Sequence, residues 1–149
     1  FPAGLLVALR QRVPNPDHPN TDREVSMPSL SYCNISVLNL DRAVQFYDQL
    51  LGSIGWSPIM NFGERGRIYG DGASMFGVLT PYDGNAAVAG NGSMFGIRFE
   101  TVEAMTAFHN KAMELGASNE GDPDERMPGS HLSYFRDPEG NKVCAFCLG

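Results

Sequence analysis

Along this chain, alternating strand-like segments and helical segments of hydrophobic and polar residues occur twice. Over residues 32–38, Cys33, Ile35 and Val37 are apolar while Asn34 and Ser36 are polar, the period of two that marks a half-buried strand. Asn39 then serves as an N-cap. Leu40, Ala43, Val44, Tyr47, Leu50, Leu51 and Ile54 recur at helical spacing and predict an amphipathic helix over 40–54. Three short strands follow at 56–61, 67–71 and 75–80, separated by turns that contain glycine. Residues 81–92 are small, aperiodic and rich in Gly, Asn and Ala, as a linker or flap would be.

The pattern then returns 62 positions later, with Tyr32 matching Met94, Asn39 matching Thr101 and Leu40 matching Val102. Phe95, Ile97 and Phe99 form the apolar face of a second strand. Thr101 caps a second helix over 101–116, which carries Val102, Met105, Phe108, Ala112 and Leu115 and is closed by Gly116. Residues 131–136 and 142–147 read as closing strands joined by Asp137-Pro138-Glu139-Gly140-Asn141. Proline suits the second position of such a turn and glycine its left-handed position. The expected fold is α+β, two βαβββ modules in one chain: module one at 29–80, the linker at 81–92 and module two at 93–149. Residues 1–28 read as an N-terminal arm outside this domain, an apolar stretch followed by Pro, Asn, Asp and Thr.

Composition narrows the classes of function. The 149 residues suit one domain, and 42% hydrophobic with 19% charged residues is a globular balance. Eleven Lys and Arg against 17 Asp and Glu leave a net charge of −6, so nucleic acid and anionic membrane surfaces are poor partners. Most of that charge falls in 117–141, which reads as an acidic loop region. Asp122, Asp124 and Glu125 there lack the glycine and terminal glutamate of a calcium loop. No apolar run approaches the ~20 residues of a membrane span. Three cysteines, Cys33, Cys144 and Cys147, form a sparse, odd set that suits a reducing compartment, so a cytoplasmic location is expected. Cys144 and Cys147 spell C-x-x-C, but on a strand their thiols point to opposite faces.

The Leu40-Asp41-Arg42-Ala43 and Phe46-Tyr47 stretch, the Arg136-Asp137-Pro138-Glu139-Gly140-Asn141 turn and the repeat together resemble the vicinal oxygen chelate superfamily, the glyoxalase/bleomycin resistance/extradiol dioxygenase group. The resemblance covers about residues 29–148 and is to the small single-chain glyoxalase-like proteins. It implies curled mixed sheets around a central cavity with the helices outside. In metal-using relatives His and Glu on the first and last strands of each module hold the ion. Carried onto this sequence, those positions are Tyr32, Phe76, Met94 and Cys144. Hard and borderline divalent cations want imidazole and carboxylate, so no metal and no other cofactor is expected here.

Strand parity assigns the remaining candidates. Tyr32, Asn34, Ser36, Phe76, Met94, Arg98, Glu100, Cys144 and Phe146 fall on the presumed cavity face, with His131 near a cavity strand. Aromatics mixed with a few polar groups make a small-molecule pocket. Arg98 needs an anionic partner, either Glu100 or the acid group of a ligand. His131 has the chemistry of a general base, but no acid partner can be placed beside it. Trp56 reads as closing one end of the core. The leading reading is a metal-free glyoxalase-like protein that binds a small, partly apolar molecule, anionic if Arg98 takes its acid group and not Glu100. The alternatives are a metal-dependent glyoxalase-type lyase or dioxygenase, and a degenerate scaffold that forms a homodimer through a β-edge or helix face.

Overall fold

A computed structural model describes residues 29–71 and 73–149. The arm expected at 1–28 therefore lies outside the described residues, as does Gly72. The elements run β1 (Tyr32–Ser36), α1 (Leu40–Gly52), β2 (Ser57–Asn61), β3 (Gly66–Gly70) and β4 (Met75–Leu79) in the first half. The second half repeats the order with β5 (Met94–Phe99), α2 (Val102–Glu114), β6 (Ser118–Met127), β7 (Ser130–Arg136) and β8 (Lys142–Leu148). The helices begin where the caps require. Asn39 Oδ1 accepts from the Arg42 N–H and Thr101 Oγ1 from the Ala104 N–H, each satisfying one donor of a first helical turn. Gly116, at φ +95°, lets the chain leave α2.

Each half folds into a four-stranded mixed sheet, ordered β1-β4-β3-β2 and β5-β8-β7-β6, with its first and last strands parallel. These are two βαβββ modules, an α+β fold, and the two sheets do not close into one barrel. The helices' apolar stripes build a core shared by both modules, in which Phe46, Tyr47, Leu50 and Leu51 of α1 join Met105, Phe108 and Ala112 of α2. Each large side chain buried this way contributes roughly 1.5–3 kcal/mol.

The turn at 137–141 ties module two onto module one. Asp137 is buried, and its carboxylate accepts from the Tyr47 hydroxyl (2.7 Å), the Glu139 and Asn141 N–H groups (2.9 and 2.8 Å) and Asn141 Nδ2 (3.1 Å). Asn141 Nδ2 also donates to the Ser36 carbonyl at 3.2 Å. Glu139 reaches the start of α1, where Oε2 accepts from the Leu38 and Asn39 N–H groups (2.7 and 3.1 Å) and Oε1 pairs with the Arg42 guanidinium. A carboxylate at a helix N-terminus beside an arginine combines two favourable terms. Burial raises the Glu139 pKa, but Arg42 and the two N–H groups outweigh it and hold the carboxyl below its ordinary range. Burial, and then the Asp137 charge, push the Tyr47 phenol well above its ordinary value.

Three expectations need correction. The acidic region is not simply a loop, because Ser118–Met127 forms the edge strand β6 on β7, with register shifts at Asn119/Gly121, Gly121/Asp124 and Glu125/Met127. Its Asp, Glu, Pro and Gly content hides any period of two, and pairing with β7 supplies the order that propensity does not. Phe76 is not on the cavity face. It pairs with Cys33 and Tyr69, is buried, and sets its ring 5.4 Å from that of Tyr47 on α1. The cause is hairpin length: four residues, 71–74, separate the paired Gly70 and Met75, whereas five, 137–141, separate Arg136 and Lys142. Equivalence through the turns is therefore off by one, and Gly77 is the β4 counterpart of Cys144. His131 is likewise turned away, since it pairs with core Cys147 while Leu132, Tyr134 and Arg136 face the other side.

Candidate functional site

A groove of about 730 Å³ lies between the modules, bordered by the start of β1, by β5, by Asp71 and Ser74 and by the first turn of α2. Tyr32, Met75, Met94, Arg98 and Phe146 reach it from the sheet faces. Ile54, Trp56, Phe95 and Phe99 reach it from the core side. Phe76 also borders it, through a gap that runs down to the helix layer, where its ring meets that of Phe95 at 4.3 Å. Tyr32, Met94 and Arg98 thus come together on the groove, and Phe76 joins them from the opposite face. Asn34 lies beside a smaller pocket of about 160 Å³ with Ser93, Asn141 and Lys142. Cys144 has the expected parity but is buried away from the groove, and His131 does not border it.

Several lining residues are not placed on the groove by strand parity. Ile54 and Trp56 follow α1, Asp71 and Ser74 belong to a turn, and Ala104 sits on α2. The repeat itself holds the signal. Ala104 stands 62 positions after Arg42, the residue that grips Glu139 at the other end of the molecule. With alanine there, and with no glutamate at 71–74, no such pair spans the space among the described residues.

The titratable groups bordering the groove are Tyr32, Cys33, Asp71, Arg98 and Glu100. Burial pushes the Cys33 thiol up, which keeps it protonated. Hydrogen bonds from the Ser74 and Ala73 N–H groups hold the Asp71 carboxyl below its ordinary range. Arg98 is exposed and forms no salt bridge with any of the described residues. This set offers a fixed cation in an aromatic surround but no nucleophile hydrogen-bonded to a base.

A family model, the Glyoxalase/Bleomycin resistance protein/Dioxygenase superfamily, matches residues 29–145. The chain belongs to that superfamily. A glyoxalase/bleomycin resistance protein from Albidiferax ferrireducens T118 is 35% identical, with a TM-score of 0.72 over 80% of this chain and 98% of that one. A glyoxalase/bleomycin resistance protein/dioxygenase family enzyme from Burkholderia phytofirmans PsJN is 20% identical, with a TM-score of 0.65 over 82% and 100% of the two chains. Lactoylglutathione lyase from Agrobacterium tumefaciens is 17% identical, with a TM-score of 0.63 over 82% and 95%, a likeness of fold alone. No curated protein matches. None of the helices among the described residues is long and apolar enough to cross a membrane.

Metal-using members of such a superfamily set a test for this chain's donors. With the register corrected, the four positions hold Tyr32, Gly77, Met94 and Cys144. A Cβ on Gly77 would lie 3.2 Å from the Tyr32 hydroxyl and 2.9 Å from Asn34 Cβ, so the phenol occupies that position's side-chain space. No cluster of three or more His, Cys, Asp or Glu that could hold a metal ion exists among the described residues. A phenol, a glycine, a thioether and a buried thiol whose pKa burial raises do not fit a hard or borderline divalent ion.

Proposed function

We propose that this glyoxalase-superfamily protein binds a small, partly apolar, anionic molecule in the inter-module groove and holds it without a catalytic metal. The observation that carries this reading is Arg98, a guanidinium without an acidic partner among the described residues, set among aromatic and aliphatic side chains. Arginine's planar fork matches a carboxylate, and the rings beside it supply apolar contact. A cytoplasmic setting, where the three free cysteines stay reduced, belongs to the same reading.

Arg98→Met tests it. A charge-assisted bond of this kind is worth about 1.5–3 kcal/mol, so an acidic ligand should bind about 10- to 150-fold more weakly while its neutral analogue is barely affected. Equal losses for both would mean that the substitution acts through the fold. Elemental analysis of purified protein should find far less than one equivalent of Zn, Ni, Fe, Mn or Cu, and a chelator should leave Tm unchanged. A stoichiometric metal that stabilises the fold would favour the lyase or dioxygenase reading instead.

A further inference from the structure

The groove's lining narrows the class of ligand, an inference that rests on the binding role proposed above. Six aromatic side chains border it: Tyr32, Trp56, Phe76, Phe95, Phe99 and Phe146. Phe76 and Phe95 come from different modules, and their rings meet at 4.3 Å with a 33° tilt, so aromatic surface continues across the seam. Phe146 leans over Gly96, where a Cβ would lie 3.0 Å from its Cε1. A side chain at position 96 would lift that ring, and glycine lets it rest on the strand. Aromatic groups favour offset or edge contacts with one another beyond the effect of area alone, so a lining of this kind prefers a planar ring to a saturated one.

Charge is placed as closely as the rings. Arg98 and Phe146 are paired in the parallel register of β5 and β8 and share one face, about one strand spacing (~4.8 Å) apart. A ligand that meets both needs its acid group on the ring or next to it. Two carboxylates also border the groove, Asp71 and Glu100, and like charges there oppose a second acid group. We infer that the groove takes a planar aromatic monocarboxylic acid, its ring beside Phe146 and its carboxylate on Arg98.

Calorimetric titration of the full chain with three probes tests this: 2-naphthoate, the saturated decahydro-2-naphthoate and neutral 2-naphthamide. Trp56 is the single tryptophan and borders the groove, so its fluorescence gives a second readout. The aromatic acid should bind about 3- to 10-fold more tightly than the saturated acid. It should also bind about 10- to 150-fold more tightly than the amide. Phe146→Leu should bring the affinities of the two acids together, with the variant's circular dichroism spectrum checking that it is folded. Equal binding of both acids, seen on the unaltered protein, would overturn the aromatic class while leaving the binding role standing. Equal binding of naphthoate and naphthamide would overturn the carboxylate anchor. If none of the three binds at millimolar concentration, the inference and the binding role fall together.

Discussion

The two turns that join last strands to their neighbours have opposite fates in this molecule. The turn at 137–141 is clamped onto module one, by Glu139 at the start of α1, Asp137 on the Tyr47 hydroxyl and Asn141 on the Ser36 carbonyl. At its counterpart, Asp71 and Ser74 share an open groove with Ala104 of α2. Both turns begin with an aspartate whose Oδ1 accepts backbone N–H groups, so their local chemistry is alike. What differs is one residue of length and the side chains that would bridge the gap: Glu139 and Arg42 at one end, no glutamate and Ala104 at the other. A repeat whose halves fold alike can devote one end to holding itself together and leave the other free for a ligand.

The comparison breaks most sharply if the open end is rebuilt as the closed one. Replacing residues 71–74 with Asp-Pro-Glu-Gly-Asn, together with Ala104→Arg, should fill the groove and weaken an acidic ligand about 100-fold or more, read by calorimetry. Unchanged affinity would place the ligand elsewhere. Asp137→Ala should cost about 3 kcal/mol in urea unfolding, because it leaves the Tyr47 hydroxyl and the turn's donors unsatisfied in a buried place. Asp71→Ala, at an exposed turn, should change stability little. Similar losses for the two would remove the asymmetry.

Acid sharpens the contrast in two pH windows. His109 stands 62 positions after Tyr47, is buried, and its Nδ1 has no hydrogen-bond partner among the described residues. Burial lowers its pKa, against a smaller opposing effect of Asp122. Its neutral form is the folded form, so stability present above the unfolded value of about 6.5 should fall as pH drops through it. Glu139 is also depressed, so its contribution should hold above the unfolded value of about 4.3 and be lost as pH falls through the folded one. His109→Phe should flatten only the upper window and Glu139→Gln only the lower, as followed by denaturation against pH. Gly96→Ala should cost about 1 kcal/mol, since the Phe146 ring must give way by a few tenths of an ångström.

The fold was legible because its signals are local. Alternation over 32–38 and 94–100, N-caps at Asn39 and Thr101, and the Pro138–Gly140 turn each act within a few residues, and the interval of 62 ties the copies together. β6 was not legible, since an edge strand of acids with Gly121 and Pro123 in its middle is ordered by its partner and not by its own preferences. The site was half legible. Parity found Tyr32, Met94 and Arg98 on the groove, but it misplaced Phe76 by a single residue of hairpin length. It could not tell that His131 pairs with Cys147 and so faces the core. Ile54, Trp56 and Ala104 border the groove through the docking of two modules, which no single element encodes.

The bulged acidic strand also bears on how the protein behaves in a crowded solution. A sheet edge offers a row of unpaired N–H and C=O groups to any passing strand, the usual route to fibrils. At β6 that row is interrupted by three register shifts and by Pro123, and it is fringed with Glu120, Asp122, Asp124 and Glu125. At β2, an outer strand of the other sheet, Pro58 and a bulge before Met60 break the row in the same way. Much of the net negative charge thus stands where a ninth strand would try to add. Neutralising Asp122, Asp124 and Glu125 should leave the fold's stability nearly unchanged and still make the protein slower to stay in solution at high concentration.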